Sequence, residues 1–166
     1  MIADVLDGAV HPLVGIDHLL VMVAIGLVAA TAHDRRVALL TPAGFVGGMI
    51  AGAVPALLGF EVPAVEVVVA ASVAVLGVLI LTATHNGGLW LPVLAASFGA
   101  VHGHAHGTEL PAGATAVAYI AGFVVMTAAL HLAGYSAGTR LRRLPSARLA
   151  AGVATLAAGV GLLLVA

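Results

Sequence analysis

Two imidazoles and a carboxylate stand at the head of an otherwise apolar run, His11-Pro12-Leu13-Val14-Gly15-Ile16-Asp17-His18. A second polar group interrupts another such run at Val101-His102-Gly103-His104-Ala105-His106-Gly107-Thr108-Glu109. Ionisable side chains are costly in an apolar span, and keeping them there implies a use. On a helix, His102, His106 and Glu109 fall at i, i+4 and i+7 on one face, with His104 turned elsewhere but kept as a further candidate ligand. Imidazole and carboxylate so arranged suit Zn, Ni, Co, Cu(II) or Fe(II). His11 and His18 are two turns apart on one face, about 10 Å along a straight axis. Asp17 points about 100° from His18 and can reach a neighbouring helix or orient an imidazole on one. Gly15 and Gly26 leave room for another backbone to approach. Met22, four residues past His18, is a weak thioether candidate, and with Met49 and Met126 it also reads as core or lipid-facing fill.

The elements that position these groups follow from composition. The 166 residues are 62% hydrophobic and 8% charged, and the mean hydropathy is +1.19. Soluble domains carry about a quarter charged residues, so the chain reads as an all-α integral membrane protein embedded in a lipid bilayer. It contains no lysine, which argues against a nucleic-acid surface. Without cysteine there is neither a disulfide framework nor a thiolate metal site. The opening stretch, Met1 to Asp7, lacks a basic residue and does not read as a signal peptide.

Polar and Pro/Gly clusters divide the chain into six apolar segments, at about 8–32, 37–60, 64–83, 89–107, 112–139 and 149–166, each near the ~20 residues needed to cross a bilayer. The expectation is one six-transmembrane-helix bundle with short loops, in which neighbours in sequence are neighbours in space. All six arginines, Arg35, Arg36, Arg140, Arg142, Arg143 and Arg148, fall in the first and fifth loops. The positive-inside rule makes that side cytoplasmic and both termini extracytoplasmic. Gly44, Gly48 and Gly52, and likewise Ala150, Ala154 and Ala158, are expected seams of helix contact within the chain or in a homo-oligomer. Pro42 and Pro55 are candidate kinks, and Pro12 is expected in the first turn of its helix.

In this orientation His11 lies about 5 Å and His18 about 15 Å below the outer surface. Glu109 and His106 lie at or just under that surface, with His102 roughly 10 Å deep. These depths assume straight helices, and a break at Gly15 shifts them. A cation would meet Glu109, His106 and His11 first, then His102, His18 and Asp17. His131 falls in the inner third, near His85 in depth, as an inner station. His33 and His85 read as loop residues.

The run from His11 to His18, together with Phe98-Gly99-Ala100-Val101-His102-Gly103-His104-Ala105-His106-Gly107-Thr108-Glu109, resembles the HupE/UreJ family of bacterial membrane proteins. The resemblance covers essentially the whole chain. It implies a nickel or cobalt permease of the cytoplasmic membrane, serving hydrogenase or urease maturation. Ni2+ is then the expected cargo, with Co2+ next and Zn2+ or Cu2+ behind, and no prosthetic group. No nucleotide-binding motif is present, so ATP is not expected as the direct energy source. Glu109 and His106 are assigned capture, His11, Asp17, His18 and His102 the binding site, and His131 the inner passage. The alternatives are an intramembrane zinc hydrolase, an ion channel, and a metal-binding sensor or structural subunit.

Overall fold

The computed structural model describes residues 1–82 and 88–166, so His85 lies outside the described residues. Among the described residues the chain forms α1 (Ile2–Val14), α2 (Ile16–Thr31), α3 (Arg35–Leu57), α4 (Val65–Thr82), α5 (Trp90–Thr108), α6 (Ala116–Leu141) and α7 (Pro145–Leu163). Helices α3, α4, α6 and α7 are long and apolar enough to cross a membrane, and the α1–α2 pair is a fifth if taken as one bent span. α5 has 19 residues but carries three histidines. The fold is that of an all-helical membrane protein.

The first expected segment is two helices rather than one. Helix starts at Ile2 and breaks at Gly15, and α2 leaves at 84° to α1. Pro12 therefore sits near the end of α1 instead of in a first turn. The stretch before it is already helical because Gly8 lets α1 settle against the Tyr119 backbone of α6. α7 begins four residues earlier than expected, with Pro145 in its first turn, where the missing N–H costs nothing. α3 runs through both Pro42 and Pro55.

Sequence neighbours are not the main spatial neighbours, contrary to expectation. The principal packed pairs are α3 with α5, α4 with α7, and α6 with both α1 and α2. Glycines decide this. Gly44, Gly48 and Gly52 of α3 lie against the carbonyls of Pro92, Ala96 and Ala100, and Gly99 and Gly103 of α5 answer against those of Phe45 and Met49. Gly26 of α2 and Gly134 of α6 abut each other's helix in the same reciprocal way. Apolar surface gains little from leaving lipid, so helices associate where small residues allow the closest backbone contact. Within the chain, α7 packs through a different row from its alanines. Ala150 and Ala154 are exposed and Ala158 is half-buried, while Gly152, Thr155 and Gly159 form the buried face against α4.

The arginines gather at one end of the bundle, where two of them serve helix termini. Arg142 Nη1 donates to the Ala30 carbonyl at the end of α2 (3.2 Å), and Arg148 Nη1 donates to Ile80 (2.7 Å) and Leu81 (2.9 Å) at the end of α4. These carbonyls have no partner within their own helices, and a cation there also suits the helix dipole. Arg148→Ala should cost about 2 kcal/mol of stability, seen as a lower thermal midpoint in detergent. An unchanged midpoint would show that the bonds are dispensable.

Candidate metal centre

The break at Gly15 builds the first half of the site. Gly15 takes an extended conformation, φ −79° and ψ 112°, which puts Asp17 and His18 in the first turn of α2. There the Asp17 carboxylate accepts from the His18 backbone N–H (2.9 Å) and from His18 Nδ1 (2.7 Å). Asp17 therefore orients the imidazole beside it, where a helical wheel would have sent it to a neighbouring helix. A carboxylate also favours this helix N-terminus. The nearest atoms to Gly15 are those of these two side chains. A Cβ there would sit 2.9 Å from His18 Nδ1 and 3.0 Å from Asp17 Oδ1. Because a carboxylate can only accept, Nδ1 carries the proton and the lone pair of His18 is left at Nε2.

α5 supplies the second half and brings both motifs together. The His106 ring lies 4.7 Å from that of His11 and 4.2 Å from that of His18, and His18 lies 5.4 Å from His102. His11 and His18 are 6.1 Å apart between ring centroids, closer than the two rungs expected of a straight helix. The bend folds them into one cluster. His102 Nδ1 donates to the Phe98 carbonyl (2.9 Å), so its lone pair too is at Nε2. At the outer edge, His11 Nε2 donates to Glu109 Oε2 (3.0 Å), and His106 Nδ1 stands 3.4 Å from the same oxygen. His106 and His11 together hold the Glu109 carboxyl well below the usual carboxylate range, so it stays anionic.

Two features of the cluster suit a cation. One ligand atom each from His11, His106 and Glu109 lies within 4.8 Å of the others. Among the described residues, His18 Nε2, His102 Nε2 and both nitrogens of His106 are buried without a hydrogen-bond partner. Such groups are few in folded proteins, and each calls for an explanation. Neutral imidazole lone pairs facing one another beside two carboxylates would be satisfied by a transition-metal ion.

His104 and His131 stand apart from this cluster. His104 Nε2 accepts from the Val62 backbone N–H (3.2 Å) and so holds the connection between α3 and α4. His131 lies deeper, with the Phe45 ring between it and His102, at 5.2 and 5.3 Å. Its Nε2 is buried and unpartnered. It lines an open surface cleft of about 670 Å³ between α2, α3 and α6, shared with Gly26, Arg35, Pro42 and Tyr135. Glu66, in the first turn of α4, was not among the expected site residues, yet it lies within electrostatic reach of Glu109, Asp17 and His18. Its signal was available, since it is an acid inside the apolar segment expected at 64–83. Tyr119 joins the edge of the cluster, its ring 5.9 Å from that of His11.

The family described as HupE / UreJ protein matches residues 2–164. Protein HupE of Rhizobium leguminosarum bv. viciae is 39% identical over 132 residues, which cover 78% of this chain and 67% of that protein. No solved structure matches. The family match takes in both histidine motifs and every helix that positions them, and the chain belongs to the HupE/UreJ family.

Proposed function

We propose that the protein carries a divalent transition-metal ion, Ni2+ first and Co2+ second, inward across the bacterial cytoplasmic membrane. The observation that carries this reading is the convergence of His11, His18, His102 and His106 with Asp17 and Glu109, with four of the imidazole nitrogens buried and unpartnered. By the positive-inside rule the arginine end is cytoplasmic, and the cluster then opens to the outside with both termini. Glu109 and His11 receive the ion, with Glu66 adding negative charge nearby. His106, His18 and His102 hold it, Asp17 fixes the His18 ring, and His131 passes it on toward the arginine end. Passage requires that coordination be partial and exchanged from one group to the next, because a closed set of strong ligands would trap the ion. The family's association with hydrogenase and urease maturation supports nickel as the cargo.

One observation favours a second reading. Three ligands within 4.8 Å of one another also meet the first demand of an intramembrane zinc hydrolase, a fixed site with an open position. Uptake by proteoliposomes separates the two. With Ni2+, Co2+, Zn2+ and Cu2+ offered singly, we expect Ni2+ and Co2+ to enter, and His18→Ala and His102→Ala each to abolish entry. Tight binding without flux would sink transport in favour of the hydrolase or a sensor.

A further inference from the structure

Beneath the imidazole cluster, three helices bring polarizable atoms to one point. The Thr127 hydroxyl of α6 donates to Met22 Sδ of α2 at 3.3 Å and faces Met49 Sδ of α3 at 4.0 Å. Met22 and Thr127 are 0% exposed and Met49 is 2% exposed. This use of a hydroxyl is unusual within the molecule. The buried hydroxyls of Thr31, Thr41, Ser72 and Thr155 all bond a carbonyl three or four residues back on their own helix, as Ser and Thr commonly do in helices. Thr127 forgoes that bond for two sulfurs.

The position of the three groups is as telling as their chemistry. Met22 lies one turn past His18 on α2. Thr127 lies one turn before His131 on α6, and one turn after Phe123, whose ring is 4.0 Å from that of His106. Met49 and His106 both line one small, apolar-walled hollow of about 20 Å³, which joins the two levels of the bundle. The sulfurs thus share with the Phe45 ring the interval between the outer cluster and His131.

We propose that Met22 and Met49, with the Thr127 hydroxyl, form a thioether way station for the ion at the centre of the bundle. The inference rests on the transport reading above and extends it. Thioethers bind soft and borderline ions and offer little to hard Mg2+, Ca2+ or Mn2+. Their weakness suits a step that must release the ion. The station therefore selects against hard cations that carboxylates at the mouth would admit.

Ag+ is the probe, because it seeks sulfur and the chain has four methionines and no cysteine to compete. Full-length protein carrying 13C-methyl methionine is titrated with Ag+ in detergent. The Met22 and Met49 methyl resonances should shift together near one equivalent, while those of Met1 and Met126 stay in place. In proteoliposomes, Ag+ should block Ni2+ uptake, and Met22→Leu/Met49→Leu should raise the Ag+ needed by at least about tenfold. Leucine conserves the volume, and circular dichroism with thermal midpoints confirms that the variant is folded. Unmoved Met22 and Met49 methyls, or Ag+ block unchanged in the double variant, would overturn the station and leave the methionines as packing. Absence of Ni2+ flux in the intact protein would overturn transport instead, and the methyl titration would still decide whether the sulfurs bind.

Discussion

Replacing His106 with leucine is expected to lower Ni2+ affinity by more than about a hundredfold while leaving the ion-free protein as stable as before, or more so. Losing a group that merely supports a ligand costs about 10–100-fold in metal affinity. His106 stands closer to the reaction than that, with ring centroids 4.2 Å from His18 and 4.7 Å from His11 and its Nδ1 3.4 Å from Glu109. A hundredfold corresponds to about 2.7 kcal/mol. Stability should not fall with it, because both ring nitrogens are buried without a hydrogen-bond partner and the Nδ1 contact with Glu109 is long at 3.4 Å. Leucine fills similar space and removes that penalty. Equilibrium dialysis with Ni2+ measures the first quantity and thermal unfolding in detergent the second. His104→Ala is the contrast, because it deletes the acceptor for Val62 N–H and should cost about 1 kcal/mol of stability with little change in Ni2+ affinity. A variant at 106 that binds Ni2+ normally would remove the centre of the proposed site.

The pairing of lost affinity with retained stability reflects what the cluster is for. Four imidazoles in one low-dielectric space are held by few internal bonds, and among the described residues only Asp17, Glu109 and the Phe98 carbonyl accept from them. Fully satisfied, such a network would rigidify the bundle and have nothing left to offer an ion. Left partly open, it costs folding free energy that the helix seams must offset. Those seams are consequently part of the site, although none of their residues is a ligand.

Much of this was legible in the chain and some was not, for identifiable reasons. Five of the six apolar segments correspond to single helices because charge and Pro/Gly clusters mark their ends. The candidate ligands were legible because polar residues stand out in apolar runs. Gly15 was visible as a place where the first helix could break, but its conformation, φ −79° and ψ 112°, is open to any residue, so its type did not decide between a straight and a broken helix. Its effect propagates: the rungs at His11 and His18 become one cluster, and Asp17 turns to its own neighbour. The α3–α5 pairing was hidden because short loops favour adjacent helices, whereas glycine seams spaced along non-adjacent helices win. The arrangement of Thr127 with Met22 and Met49 needs three helices at once, and no local pattern encodes it.

The seams make the sharpest prediction, which concerns two adjacent glycines. Gly48→Ala should destabilise the protein by about 1–3 kcal/mol, the usual cost of forcing volume into a packed contact, whereas Gly47→Ala should be neutral or stabilising by up to about 1 kcal/mol. A Cβ at Gly48 would run into the Ala96 carbonyl of α5, while one at Gly47 meets nothing within 4 Å. Both glycines are in α3, so helix propensity favours alanine equally at the two positions, and any difference between them reports packing alone. The clash at Gly48 can be relieved by moving α5 outward, which carries His102 and His106 away from His18 on α2. Gly48→Ala should therefore also weaken Ni2+ binding, although no ligand is altered, and Gly47→Ala should not. Thermal midpoints and Ni2+ dialysis on the two variants give both readouts. If Gly48→Ala lost stability but kept full affinity, the bundle would be absorbing the strain elsewhere, and α5 would not be the element that holds the imidazoles in register.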